Sequence, residues 1–468
     1  MANHALDAAS AIDETRILAT LEAHGPAEHA RVRDVLAKAR QALGLEPAEV
    51  ATLAAIDDPE LMDELFDTAR QVKETIYGRR LVLFAPLYIS NMCANECLYC
   101  AFRARNRDVK RRALTQDEIA REVGILVDQG HKRLLVVAGE SYPRRGFQYV
   151  LDSIATVYGV TRGRGEIRRL NANVAPLTVD EFRELKAAKI GTYQVFQETY
   201  HRETYKKMHV AGVKADYDWR VSAMDRAMEA GIDDVGIGVL FGLADWRFEI
   251  LALMEHSRHL EARFGVGPHT ISVPRLEPAT GSDVSVAPPN PVSDDDFRRI
   301  VAILRLAVPY TGIIMSTRET PNLRRETFAL GVSQISAGSR TNPGGYSEDD
   351  TELDAAQFSL GDHRPLDEVI RDVASLGYIP SFCTACYRLG RTGRDFMDLA
   401  KPGDIKTHCD PNALSTFLEY LLDYASPETR AVGEKAIGDI LSTMSEPVRN
   451  QSERLMSKVR EGQRDVFC

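Results

Sequence analysis

The chain has 468 residues, with 58 Lys+Arg against 68 Asp+Glu and a net charge of −10. Its 44% hydrophobic and 27% charged residues are a globular composition, which excludes wholesale disorder. The acidic balance excludes a nucleic-acid-coating role, which needs a clustered positive field.

The N-terminus, MANHALDAASAIDETR, carries acids early and lacks an apolar segment, so it does not read as a secretory signal. No window approaches 18 consecutive apolar residues, so no membrane span is expected and the chain reads as cytoplasmic. Residues 1–80 read as a helical extension. Leu61, Leu65, Ala69, Val72 and Ile76 mark one helix face, and Gly78 closes it.

From residue 81 short apolar runs alternate with amphipathic stretches. The runs are 81–89, 133–138, 169–174, 191–196, 234–241, 269–276, 312–315 and 334–337. The helical stretches include 115–129, 179–189 and 294–306, with capping boxes predicted at Thr115/Glu118 and Thr178/Glu181. Eight strand–helix repeats predict a closed (β/α)8 TIM barrel over 81–342. No Gly-x-Gly-x-x-Gly follows the first strand, which argues against a doubly wound sheet. Polar residues cluster after the runs, at 91–100, Gly139-Glu140, Gln197-Glu198 and Ser316-Thr317-Arg318. In a barrel these positions line the catalytic mouth. Residues 343–468 read as a loop and then a C-terminal helical domain. There Asp410-Pro411 predicts an N-cap with proline at the first helical position, placing Cys409 at a helix N-terminus that favours thiolate.

Six of the seven cysteines form two triplets. Cys93, Cys97 and Cys100 have the spacing Cys-x3-Cys-x2-Cys on the loop after the first strand. Three such thiolates can wrap an iron–sulfur cube and leave one iron open; a structural zinc site with a distant fourth ligand is the alternative. Cys383, Cys386 and Cys409 form a knuckle with a distant third thiolate. With neighbouring His408 they would make a Cys3His zinc site, and spacing alone leaves zinc and iron–sulfur equally open. Cys468 is terminal and reads as unligated. His4, His24, His29, His256 and His259 read as surface residues.

The loop NMCANECLYCAFR resembles the signature of the radical S-adenosylmethionine (SAM) superfamily. The resemblance implies a [4Fe–4S] cluster on the first triplet, with the amino and carboxylate groups of SAM on its open iron. Tyr99, beside Cys100, is carried with that loop as a cofactor contact, and Gly139-Glu140 matches the turn that binds the SAM amino group. GTYQVFQETYH, GVLFGLADW, GVGPHTISVPRLEPA and the second triplet extend the resemblance, from about residue 80 to about 425, to the HydG family of tyrosine lyases in FeFe-hydrogenase maturation. That family implies an auxiliary cluster on Cys383, Cys386 and Cys409. It also implies a further iron, held by His269 and a free L-cysteine. Glu198 matches a SAM contact. Arg318, with Ser316 assisting, is the candidate for the tyrosine carboxylate, and Asn171 and Asn173 are candidate contacts of SAM or substrate.

The implied reaction cleaves L-tyrosine between Cα and Cβ to p-cresol and dehydroglycine, which then yields carbon monoxide and cyanide. The implied partners are a reductant such as ferredoxin or flavodoxin and the other hydrogenase maturases; no nucleic acid or membrane is expected. Two rivals stand. One is a ThiH-like 2-iminoacetate synthase that stops at dehydroglycine. The other is a non-catalytic iron–sulfur or metal carrier.

Overall fold

The computed structural model describes residues 8–25, 28–143, 145–347 and 355–468. His4 lies outside them. Eight parallel strands close a barrel: β1 (Arg80–Ser90), β2 (Arg133–Ala138), β3 (Arg169–Asn173), β4 (Tyr193–Gln194), β5 (Val235–Gly238), β6 (Thr270–Ser272), β7 (Gly312–Met315) and β8 (Val332–Ser336). Closure is the pairing of β8 back onto β1, with Val82 opposite Gln334 and Phe84 opposite Ser336. All eight apolar runs overlap a strand, but β4, β5 and β6 are shorter than their runs.

A ninth strand, β9 (Ile379–Ser381), pairs parallel with Arg80–Val82 at the start of β1. The sequence hides it: three residues containing a proline, which lacks an N–H for the ladder, do not read as a strand. β9 delivers Cys383 to the barrel floor. The first triplet leaves the other end of β1, so the two triplets occupy opposite ends of one barrel.

Both predicted capping boxes form, at Thr115/Glu118 and Thr178/Glu181. Helix Pro59–Tyr77 buries Leu61, Leu65, Ala69, Val72 and Ile76 and ends at Gly78, whose φ of 58° suits glycine. It packs on helices Asp294–Ala307 and Pro321–Leu330, so the N-terminal helices share the barrel's core.

Two expectations are corrected. The helix carrying Cys409 runs Lys406–Asp423, with Ile405 as its N-cap and Pro411 inside it. Asp410 is therefore not a cap, and Cys409 sits within the helix, its N–H bonded to the Ile405 carbonyl at 2.9 Å. Pro411 is the sixth helical residue, past the four free N–H groups of the first turn, so the helix forgoes the bond to the Thr407 carbonyl there. His256 and His259 are buried, because helix Trp246–Phe264 is covered on most sides. His256 meets the Tyr200 hydroxyl at 2.7 Å, and His259 meets Asp225 at 2.7 Å. Among the described residues no helix is long and apolar enough to cross a membrane.

Candidate functional site

The barrel interior holds two chambers. The upper, of about 190 Å³, is lined by Cys93, Cys97 and Cys100 with Tyr99, Gly139, Glu140, Asn173, Glu198, Ser316 and Arg318. The lower, of about 40 Å³, is lined by Cys383, Cys386, Cys409 and His269 with Arg80 and Arg133. Successive inward residues divide between them. Val82, Arg133 and Gln334 face the lower chamber; Phe84, Leu135 and Ser336, two residues on, face the upper. Neighbouring layers of inward side chains therefore line the two chambers.

The loop after β1 is held rigidly. The Asn91 side chain bridges to Lys110 O (2.8 Å) and Arg112 N (2.6 Å). Cys97 pairs with His209 in a small ribbon of Glu96–Cys97 against His209–Ala211. Gly139 passes so close that a Cβ there would lie 2.3 Å from the Met92 carbonyl oxygen. Tyr99 donates from its hydroxyl to His209 Nε2 at 2.8 Å, since His209 Nδ1 is occupied by the Tyr205 carbonyl.

Beside the triplet lies a charged network. Glu140 meets Arg220 at 2.9 Å and accepts from Asn95 at 2.7 Å; Glu198 meets Lys214 at 2.6 Å and Arg220 at 3.7 Å. Burial pushes both carboxyls up, but Arg220 and Lys214 outweigh it and hold them below the usual range. Glu198 has a φ of 72°, a strained backbone for a non-glycine residue and a frequent mark of functional sites. Across the chamber the Arg318 guanidinium stacks 3.3 Å over Phe358, bonds the Arg275 carbonyl at 3.2 Å, and has no carboxylate partner among the described residues. Its backbone N–H bonds Ser316 Oγ at 3.3 Å.

Asn171 does not line either chamber. Its carbonyl oxygen accepts from Arg169 Nε at 2.9 Å and Thr192 N at 3.0 Å, a structural role one layer below Asn173. Sequence reasoning missed Lys214, Arg220 and Asn95. Arg220 and Lys214 arrive from a segment that carries no motif, and only the fold brings them over the triplet.

In the lower chamber, burial and then Cys409 push the Cys383 thiol up to about 11. The Cys386 thiol is held down by its hydrogen bond with Cys409, and that contact, with burial, raises Cys409. The expected helix-terminus activation of Cys409 is thus reversed. His269, not His408, lines this chamber, and it packs on Phe396 with ring centroids 4.5 Å apart. Cys468 lies outside the chamber lining, its backbone N–H bonded to Asn412 at 2.9 Å.

The donor sets fit iron–sulfur clusters. Each chamber collects three thiols, and the upper chamber's carboxylates are already paired with cations. Three thiols are the set that holds a cube with one iron left open.

The radical SAM superfamily model matches residues 87–254, and the biotin and thiamin synthesis associated domain model matches residues 272–379. A crystal structure of HydG, described as a maturase of the [FeFe]-hydrogenase, is 48% identical, with TM-score 0.94 over 98% of this chain and 100% of that one. The chain belongs to the radical SAM family of HydG and 2-iminoacetate synthase. HydG from Carboxydothermus hydrogenoformans is 40% identical, with TM-score 0.83 over 95% of this chain and 97% of that one. The 2-iminoacetate synthase of Escherichia coli (strain K12) is 33% identical over 71% of this chain and 85% of its own. Membership of the superfamily brings a [4Fe–4S] cluster and SAM as cofactors, and Cys93, Cys97 and Cys100 are the thiols that line the upper chamber.

Proposed function

We propose that the chain is a tyrosine lyase of FeFe-hydrogenase maturation. It would cleave L-tyrosine to p-cresol and dehydroglycine in the upper chamber, and convert dehydroglycine to carbon monoxide and cyanide in the lower. The observation that carries this reading is the second chamber, with three thiols and His269 stacked one side-chain layer below the first. A 2-iminoacetate synthase that released dehydroglycine would have no use for it.

The chemistry that a SAM-bound cluster supplies in the upper chamber is one-electron cleavage of SAM and removal of a hydrogen atom from the tyrosine amino group. The chain's own residues do the positioning. Glu140, fixed by Arg220 and Asn95, offers a carboxylate to the SAM amino group. Arg318 offers a guanidinium fork to the tyrosine carboxylate, with Ser316 beside it, and the fork suits a carboxylate in two-point contact. The closed barrel excludes water from the radical step. Below, Cys383, Cys386 and Cys409 would hold the auxiliary cluster, and His269 and a free L-cysteine would hold the extra iron, which is cargo for partner maturases.

The test is product analysis on anaerobic preparations. The wild type should yield p-cresol, cyanide and carbon monoxide. Cys383→Ser with Cys386→Ser should keep p-cresol and lose carbon monoxide. A wild type that accumulates dehydroglycine without carbon monoxide would instead be a 2-iminoacetate synthase. One that cannot cleave SAM would be a metal carrier.

A further inference from the structure

The outer wall of the upper chamber differs in charge from the rest of the molecule. In a chain of net charge −10, residues 103–112 hold Arg103, Arg105, Arg107, Lys110, Arg111 and Arg112 against Asp108 alone. Some of these have work inside the loop: Arg111 donates to the Asn91 and Phe102 carbonyls at 2.8 and 2.9 Å, and Arg103 faces Glu96 at 3.7 Å. Arg105 and Arg107 are exposed and make no ion pair with the described residues, and the same holds for Lys206, just before the ribbon.

Two exposed valines follow Lys206 in the chain, Val210 (54% exposed) and Val213 (65%). Both belong to the segment that clasps the cluster loop. His209 is buried, while Val210, which the irregular pairing of the ribbon leaves without an opposite residue, is exposed. Glu96 joins the two halves of the face: it pairs with Ala211 in the ribbon, and its carboxylate accepts from Arg105 N at 2.9 Å. The fit against the loop is close, since a Cβ on Gly212 would lie 2.3 Å from Asn95 Oδ1. Cys97 is directly opposite His209. Strand geometry therefore places the Val210 Cα within about 9 Å of the Cys97 Cα. Exposed apolar side chains in the segment that clasps a loop carrying Arg105 and Arg107 without ion pairs suit an acidic protein partner, steered by the field and seated by the valines.

We propose that this face docks a small acidic one-electron carrier protein of the flavodoxin or ferredoxin kind, which delivers its electron through the Cys97 edge of the cluster loop. The carrier is oxidised by one electron, the SAM-bound centre behind Cys97 is reduced by one, and no atom or proton changes hands. The proposal rests on the radical SAM assignment of the upper chamber.

The test uses the full-length, anaerobically reconstituted protein, a flavodoxin as the probe, and the variant Arg105→Glu/Arg107→Glu/Lys206→Glu. Flavodoxin affinity, measured by calorimetry, should fall by about tenfold or more in the variant, and the salt dependence seen for the wild type should flatten. Val210→Ser should weaken binding while keeping the salt dependence. Deoxyadenosine formation driven by reduced flavodoxin should fall with the affinity, while formation driven by dithionite, which needs no docking, should stay at the wild-type rate. Unchanged flavodoxin affinity would overturn the proposal. So would a parallel loss of dithionite-driven turnover, or a redox-inactive acidic protein that binds as tightly and competes. Failure of the wild type to cleave SAM with dithionite would overturn the underlying assignment instead, so the two failures are distinct.

Discussion

Arg318 is a cation of the upper chamber without an ion pair among the described residues, its charge supported only from a distance by Glu277, Glu198 and Glu319, while Lys214 pairs with Glu198 and Arg220 with Glu140 and Glu198. Burial pulls its pKa below the ordinary arginine value, yet it stays charged and is aimed across the chamber over Phe358. Arg318→Lys should weaken tyrosine binding by on the order of 1.5–3 kcal/mol, the worth of a charged hydrogen bond, and leave SAM binding less affected. Anaerobic titration of each ligand checks this, and an unchanged tyrosine affinity would remove Arg318 from the site. A second buried group gives a pH signature. Glu249 accepts from the Thr199 hydroxyl and from Tyr200 N at 3.0 Å, without a cation, and burial pushes its carboxyl up to about 8, with Asp245 and Glu14 adding to the rise. A raised carboxyl contributes stability that is complete below its unfolded pKa near 4.5 and is lost as pH rises through 8. Glu249→Gln should therefore flatten the decline in melting temperature between those limits, by an amount on the order of a few kcal/mol at about 1.4 kcal/mol per pKa unit. Parallel melting curves for the two proteins would show no role for Glu249. The cysteines were legible in the sequence because thiols are rare and closely spaced. Arg220 and Lys214 were not, because their residue types are common and their meaning depends on what they fold against.

At the scale of elements, function rests on how loops leave β1. The turn after β2 must pass under the cluster loop, and Gly139 makes that possible: any Cβ would meet the Met92 backbone rather than a yielding side chain. Gly139→Ala should displace the loop by a few tenths of an ångström or more. The expected result is SAM cleavage lowered by up to about a hundredfold, as for a misplacement approaching 1 Å. Iron and sulfide analysis with EPR should find the lower centre's signal retained, and wild-type SAM cleavage would show that the approach is not tight in solution. The strand–helix alternation was readable because each unit carries its own periodicity and caps. β9 and the true start of the Cys409 helix were not, since each is decided by a contact distant in sequence: β9 by the open edge at the start of β1, and the helix by packing that extends it back past Pro411.

Over the whole molecule, the two triplets are ordered by one strand. β1 carries the first triplet beyond its C-terminal end and, through β9, the second at its N-terminal end. The family resemblance requires the two triplets to face one barrel interior from opposite ends; the strand that sets the second one there, β9, could not be read from the sequence. Along β1, β2 and β8 the step from one chamber to the other is two residues, or about 7 Å of strand. Such a partition makes the fate of a released intermediate a matter of relative rates inside a single molecule. Capture below competes with escape and hydrolysis outside, and each is first order in the same complex. The ratio of carbon monoxide to p-cresol should then be indifferent to dilution of the enzyme and to scavengers in the buffer, as it could not be if the intermediate travelled between molecules through solvent.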